Sequence, residues 1–383
     1  MLTVVGSGVT TISFWVTRAE IMAQEVNGFS LLDSEGDTTP RIEEAGWIGR
    51  ALMQYPDIFA KPTKPKAEVG IVVNERNMQF CSSYAGLNQH LSYSTRGWYY
   101  LLWESGIPVD FVNVDDIDKV SAEQYHALIM PFPMSISEEV ASRLDKYVQS
   151  GGSLISEAAP GRVDGFGICT RGETSPKMRA LFGVRQLSYT MVREPEGDFR
   201  WTPVERTWGE LLDSTTLEGS GVMKGQKILA NYYLQTFECR DSDVILNYHG
   251  AAAGVMRKAG NGTAWLLGTY IGHNATAHRN EQTLKFVQEL MKQCGIQRQN
   301  QGELLLQKRI GEEREAWVLT NPTDHDVTET ITIPQGAIAT DLLDGFTQLT
   351  DDLSTLKVKS LDVRVLIVNR CSSPTKKIAD PRE

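Results

Sequence analysis

The sequence has no apolar run of roughly 18 or more residues, so no hydrophobic transmembrane helix organises it and no membrane partner is expected. Cysteine is scarce: five in 383 residues, at 81, 169, 239, 294 and 371, odd in number and widely spaced. No C-x-x-C pair occurs, which argues against a zinc ribbon or a redox motif, and a reducing cytoplasm is the simplest compartment. Among the six histidines there is no H-E-x-x-H or comparable spacing, so neither a metal nor a cofactor is expected. Positive charge is in deficit. The 38 Lys and Arg against 48 Asp and Glu leave a net charge of −10, which opposes phosphate backbones and makes nucleic acid an unexpected partner. Met1 to Val16 is apolar enough to resemble a secretory leader, but the first basic residue is Arg18, so a cleaved leader is not expected.

What is present is a globular composition, 41% apolar and 22% charged, which excludes a disordered chain, a collagen or a coiled coil. The length accommodates two or three domains. Val9 to Val16 alternates as a strand does, and Ile42, Ala45, Ile48, Ala51 and Leu52 form a helical stripe. Lys61-Pro-Thr-Lys-Pro-Lys66 reads as a linker, because two prolines interrupt any helix.

A strand–helix alternation begins at Ala67. Strands are expected at 69–73, 108–114, 126–132 and 153–156, with helices at 95–105, ending at Gly106, and from a Ser137 cap to Gly151-Gly152. Such alternation implies a parallel sheet with helices on both faces. Residues 160–240 read as a less regular insertion; strands return at 244–248, 252–257 and 263–270, and a last helix spans 280–294. From Leu304 the period becomes two, with strands at 304–309, 315–320, 327–333, 337–341 and 363–368, as in a small all-β sandwich.

Several motifs suggest chemistry. Val4-Val-Gly-Ser-Gly8 with Asp33 imitates a dinucleotide fingerprint, but the third glycine position is Thr11, whose branched side chain would crowd helix against strand. A glycosidase needs two facing carboxylates. Glu43 and Glu44 diverge on one helix and Asp33 and Glu35 flank a turn, so no pair stands out. In a class I glutamine amidotransferase the strand ending at Ser156-Glu157-Ala-Ala159 would carry a cysteine nucleophile; none is there, and Cys169 lies well past the turn. Glu157 is then a structural carboxylate or, in a binding-module reading, a ligand contact at the sheet's carboxyl edge. His249, His273 and His278 fall near strand ends without ligand spacing. Trp15 closes the first expected strand, either in a core or as a platform for a sugar ring.

Three stretches in order resemble the C-terminal part of family-42 glycoside hydrolases, the β-galactosidases with a trimerisation domain. They are Phe14-Trp15 with Arg18, Glu20, Glu25, Gly28, Asp33-Ser-Glu-Gly36 and Glu43-Glu-Ala-Gly-Trp-Ile-Gly-Arg50; Tyr99-Tyr-Leu-Leu-Trp-Glu-Ser-Gly-Ile-Pro-Val-Asp110 with Leu144-Asp-Lys-Tyr-Val-Gln-Ser-Gly-Gly-Ser-Leu-Ile155 and Leu181-Phe-Gly-Val184; and Asp341-Leu-Leu-Asp-Gly345. The resemblance implies an α/β fold: a doubly wound, class I glutamine amidotransferase-like (flavodoxin-like) domain at 67–298, an all-β sandwich at 302–370, and a remnant of a (β/α)₈ barrel, its last strand and helix, at 1–60. Residues 61–66 are the linker and 371–383 a tail. It implies a homotrimer and galactoside hydrolysis by two glutamates on barrel strands that precede Trp15; neither has a counterpart here, so the chain alone is expected to be inactive. Trp15 carries over as a substrate-binding residue, with Glu25 and Asn27 at the two following positions. A separate barrel polypeptide completing a split enzyme is the alternative partner. With Val4, Val5, Val9, Ile12 and Phe14 short of neighbouring strands, residues 1–40 are expected to be poorly anchored unless a partner covers them.

Overall fold

The computed structural model describes residues 1–20, 30–60, 65–84, 87–170, 175–191, 216–277, 280–298, 302–345, 347–350 and 353–369. The chain divides into two compact units, Met1–Pro65 with Asn300–Glu383, and Lys66–Gln299. The first 65 residues contain α1 (Leu2–Gly6), α2 (Pro40–Met53) and α3 (Pro56–Phe59). Proline opens both α2 and α3, where its missing N–H costs nothing and its φ suits the helix. Residues 9–16 form no strand; only isolated bridges, Arg18 with Leu32 and Leu32 with Thr38, occur nearby among the described residues. Alternation alone does not make a strand, which needs a hydrogen-bonding neighbour.

The larger unit runs β1 (Val69–Val73), α4 (Glu75–Ser83), α5 (Leu87–Glu104), β2 (Val109–Asn113), β3 (Ala127–Met130), α6 (Glu138–Gln149), β4 (Ser153–Ser156), α7 (Pro176–Phe182), β5 (Val184–Met191), β6 (Thr216–Gly219), β7 (Lys227–Leu229), β8 (Tyr233–Cys239), β9 (Asp243–Tyr248), β10 (Ala251–Ala259), β11 (Gly262–Leu267), α8 (Ile271–Ala277) and α9 (Glu281–Gln293). Strands β2-β1-β3-β4-β11 are parallel neighbours, and the sheet continues antiparallel through β10, β9, β6 and β7, with β8 on β10 and β5 on β8. The expected insertion at 160–240 therefore extends the same sheet. Its strands pair far along the chain, which no local pattern announces.

Side chains alternate cleanly across this sheet. Ala127, Ile129 and Ile155 face a core shared with Trp98 and Leu101 of α5 and Phe286 and Leu290 of α9. Leu128, Met130 and Leu154 face the opposite core, with Leu144 and Val148 of α6. Both faces being covered is why β3 reads as an unbroken apolar run. The helix starts are built as their sequences suggest: Ser137 Oγ accepts from Val140 N–H, and Asn280 Oδ1 from Gln282 and Thr283.

The smaller unit adds β12 (Leu305–Ile310), β13 (Arg314–Thr320), β14 (Val327–Thr332), β15 (Ile338–Asp341), β16 (Gln348–Leu349), β17 (Leu353–Val358) and β18 (Val363–Asn369). An antiparallel sheet in the order β12-β13-β18-β15-β16 packs on the β14–β17 pair through Trp317, Leu319, Ile331, Leu356 and Leu366. The five-stranded sheet is buried on its other face too. Ala316, Val318, Val365 and Ile367 pack against Leu2, Val5, Ile48, Ile58 and Phe59. Arg309 secures this layer: fully buried, it donates to the carbonyls of Val5 (2.7 Å), Val9 (2.7 Å) and Phe59 (3.1 Å). The expectation that residues 1–40 lack anchorage is thus wrong at their start, because Leu2 and Val5 cap a sheet face.

Candidate functional site

The carboxyl ends of the parallel strands are where an open α/β sheet presents its site. At the end of β4 stands Glu157, completely buried. Its carboxylate accepts from Ser94 Oγ at 2.5 Å, Phe132 N–H at 2.9 Å and Gly272 N–H at 2.7 Å. Two glycines make this possible. A Cβ on Gly97 would lie 1.7 Å from the Gly272 carbonyl oxygen, and one on Gly272 would lie 2.2 Å from that of Ser94, so α5 and α8 touch backbone to backbone and carry Ser94 and Gly272 onto the carboxylate. Burial pushes the Glu157 pKa up to about 7, against the lowering effect of these hydrogen bonds. Glu157 is sealed by protein donors, and the ligand-contact reading does not survive.

Beside it runs a chain of buried polar groups. His90 Nδ1 and His273 Nε2 are 2.9 Å apart, and His273 Nδ1 meets the Asn231 side-chain amide at 2.5 Å. The Asn231 amide and His90 thus hold the His273 ring from its two nitrogens. His90 stacks on Tyr232, centroids 4.2 Å apart, and burial lowers its pKa to about 4, which keeps it neutral. Burial pushes the Cys81 and Cys294 thiols up to about 12, away from the thiolate form. His249 occupies a turn between β9 and β10 with φ of 46°, and His278 lies outside the described residues. No group of three metal-binding side chains occurs among the described residues.

The open part of the carboxyl edge is elsewhere, between β1 and β3. A cleft of about 700 Å³ is lined by Val72, Leu91, Arg96, Tyr99, Phe111 and Met130, among others. Asn74 and Asn77 also line it, but their amides are occupied. Asn74 Oδ1 caps α4 at the Asn77 N–H and its Nδ2 donates to the Ser135 carbonyl; Asn77 donates to the Phe132 carbonyl and accepts from Ser135 N–H.

Of the expected substrate residues, Trp15 is described and is 75% exposed, so it is no core tryptophan; Glu25 and Asn27 lie outside the described residues. The nucleotide-like motif falls on α1 rather than on a strand, which removes the strand–turn–helix that binding requires. Asp33 closes a turn instead, its Oδ1 accepting from the N–H groups of Glu35, Gly36 and Asp37. Sequence reasoning missed Ser94, Gly97, Gly272, His90 and Arg96; a glycine inside an otherwise helical stretch, as at Gly97, was the one available sign.

No described helix is long and apolar enough to cross a membrane. The β-galactosidase GanA of Bacillus subtilis is 24% identical over 178 residues, 45% of this chain and 25% of that protein, and BgaA of Planococcus sp. is 21% identical over 310 residues, 76% and 40%. A catalytic mutant of a family-42 β-galactosidase from G. stearothermophilus superposes with a TM-score of 0.73 at 20% identity, covering 96% of this chain and 50% of that one. The β-galactosidase of Bacillus circulans sp. alkalophilus gives 0.70 at 14% identity, covering 92% and 49%. The chain thus shares their fold and spans at most about half of their length. The model of the β-galactosidase trimerisation domain matches residues 67–297, well over half of the chain, which therefore belongs to that family.

Proposed function

We propose that this chain is the oligomerisation and C-terminal region of a β-galactosidase-like glycoside hydrolase, that it assembles as a cytoplasmic homotrimer, and that it does not cleave glycosides by itself. The observation that carries this reading is the trimerisation-domain match, continuous over residues 67–297. The parallel order β2-β1-β3-β4-β11 supports reading this sheet as flavodoxin-like and amidotransferase-like. Where an amidotransferase would hold a thiolate, the turn after β4 holds Glu157 bonded to its own fold, so this turn serves as architecture. Residues 1–60 are read as the end of a barrel, with Trp15 the aromatic platform for a sugar and Glu25 and Asn27 as further substrate-binding residues. Purified chain is expected to leave a nitrophenyl β-galactoside intact, and turnover abolished by Glu20 or Glu25 substitution would overturn the inactive reading. Light scattering is expected to give the mass of three chains; a monomer at high concentration would overturn the trimer.

A further inference from the structure

We infer that the cleft between β1 and β3 is a ligand site in its own right, for a planar, largely apolar molecule carrying one anionic group, a carboxylate or a phosphate. Its position is the first argument. The chain leaves β1 for β2 on one side and returns from β2 to β3 on the other, and α5 and α6 cover opposite faces, so a crevice opens beyond the carboxyl ends of these two paired strands. The size, about 700 Å³, suits a small organic molecule.

The lining sets the chemistry. Val72, Leu91 and Met130 supply apolar wall, and the Tyr99 and Phe111 rings lie nearly parallel, 14° apart with centroids at 6.3 Å. Phe111 is 55% exposed on the edge strand, so a planar ring can lie against it. Arg96 is the single charged side chain among the described lining residues. Its guanidinium stands 5.2 Å over the Tyr93 ring, its buried Nε has no hydrogen-bond partner, and no carboxylate of the described residues pairs with it. A half-buried cation without a counter-ion is costly, and the guanidinium fork matches a carboxylate or phosphate in two-point contact. With Asn74 and Asn77 committed to the fold, Arg96 is the group that would select the ligand's charge.

The test uses the full chain and two fluorescent probes of like shape, anilinonaphthalene sulfonate, which is anionic, and phenylnaphthylamine, which is neutral. Saturable sulfonate binding is expected, with Arg96→Gln weakening it at least tenfold, Arg96→Lys recovering part, and the neutral probe unchanged within twofold. Benzoate and phenyl phosphate as competitors separate the two anion classes; displacement by neither overturns the inference. Equal binding of the sulfonate to wild type and Arg96→Gln, or no saturable binding to folded wild-type chain, also overturns it. Should Arg96→Gln fail to fold, a wild-type crystal soaked with the sulfonate decides: its anionic group on the Arg96 guanidinium supports the site, and any other position refutes it. Light scattering on the same samples covers the remaining occupant. If Tyr99→Ala disrupts assembly while wild type binds no probe, the cleft is a subunit contact and the ligand reading falls, whereas the trimer reading stands.

Discussion

Glu157 and Arg309 are both completely buried, one in each unit, and they are accommodated in opposite ways. Glu157 sits in the α/β unit among three donors, and its pKa rises to about 7, so it can relieve its burial by taking a proton. Arg309 sits in the β unit, where burial lowers its pKa, but a guanidinium remains charged at any ordinary pH. It must be covered permanently, and three backbone carbonyls from residues 5, 9 and 59 do so. The carboxylate therefore ties helices together conditionally. The guanidinium holds a distant stretch of chain to a sheet face unconditionally.

Breaking the unconditional tie should have the largest effect. Arg309→Ala strips three carbonyls of their donor, and a loss of about 3–5 kcal/mol is expected in denaturant unfolding. Amides of residues 2–6 should then lose hydrogen-exchange protection; protection at the wild-type level would show that Arg309 does not hold them. Next is the apolar part of the same layer. Ile367→Ala should cost about 2–4 kcal/mol, as much as Leu366→Ala on the opposite face. A near-neutral Ile367→Ala would mean that the second face is not covered.

The conditional tie is tested by pH. Because the folded state raises the Glu157 pKa from 4.5 to about 7, its contribution is fully present below about 4.5 and is lost as pH rises through about 7. Wild type should lose about 1–3 kcal/mol more than Glu157→Gln between pH 4.5 and 8. An identical pH dependence would show that Glu157 does not titrate in this range. The smallest effect is expected at Trp15, where 75% exposure limits Trp15→Ala to about 0.5 kcal/mol in stability; a cost of several kcal/mol would reveal a packed role.

Much of the architecture was legible locally. The strands Val69–Val73 and Ser153–Ser156, the caps at Ser137 and Asn280, and the change to a two-residue period after Leu304 all announce themselves through burial pattern and turn chemistry. The strand pairs of the 160–240 region did not, because β5 finds β8 about fifty residues on and β8 finds β10 across a further strand. Nor did Leu353–Val358, whose Lys and Ser sit on a half-buried edge pair. The site was less legible still. Glu157 was visible as a residue, but its three donors come from α5, the turn after β3 and α8.

By itself the sequence determined the composition-level exclusions, the alternation that builds a parallel sheet, the apolar runs and the caps, because each depends on neighbours within a few residues. Tertiary structure alone decided that Val4-Val-Gly-Ser-Gly8 belongs to a helix and its surroundings rather than to a nucleotide strand. It also decided that Glu157 is sealed and that Arg96 faces an open cleft. Those outcomes turn on desolvation and hydrogen-bond completion, which are properties of what packs around a residue, and for Glu157 the decisive partners lie 25 to 115 positions away along the chain.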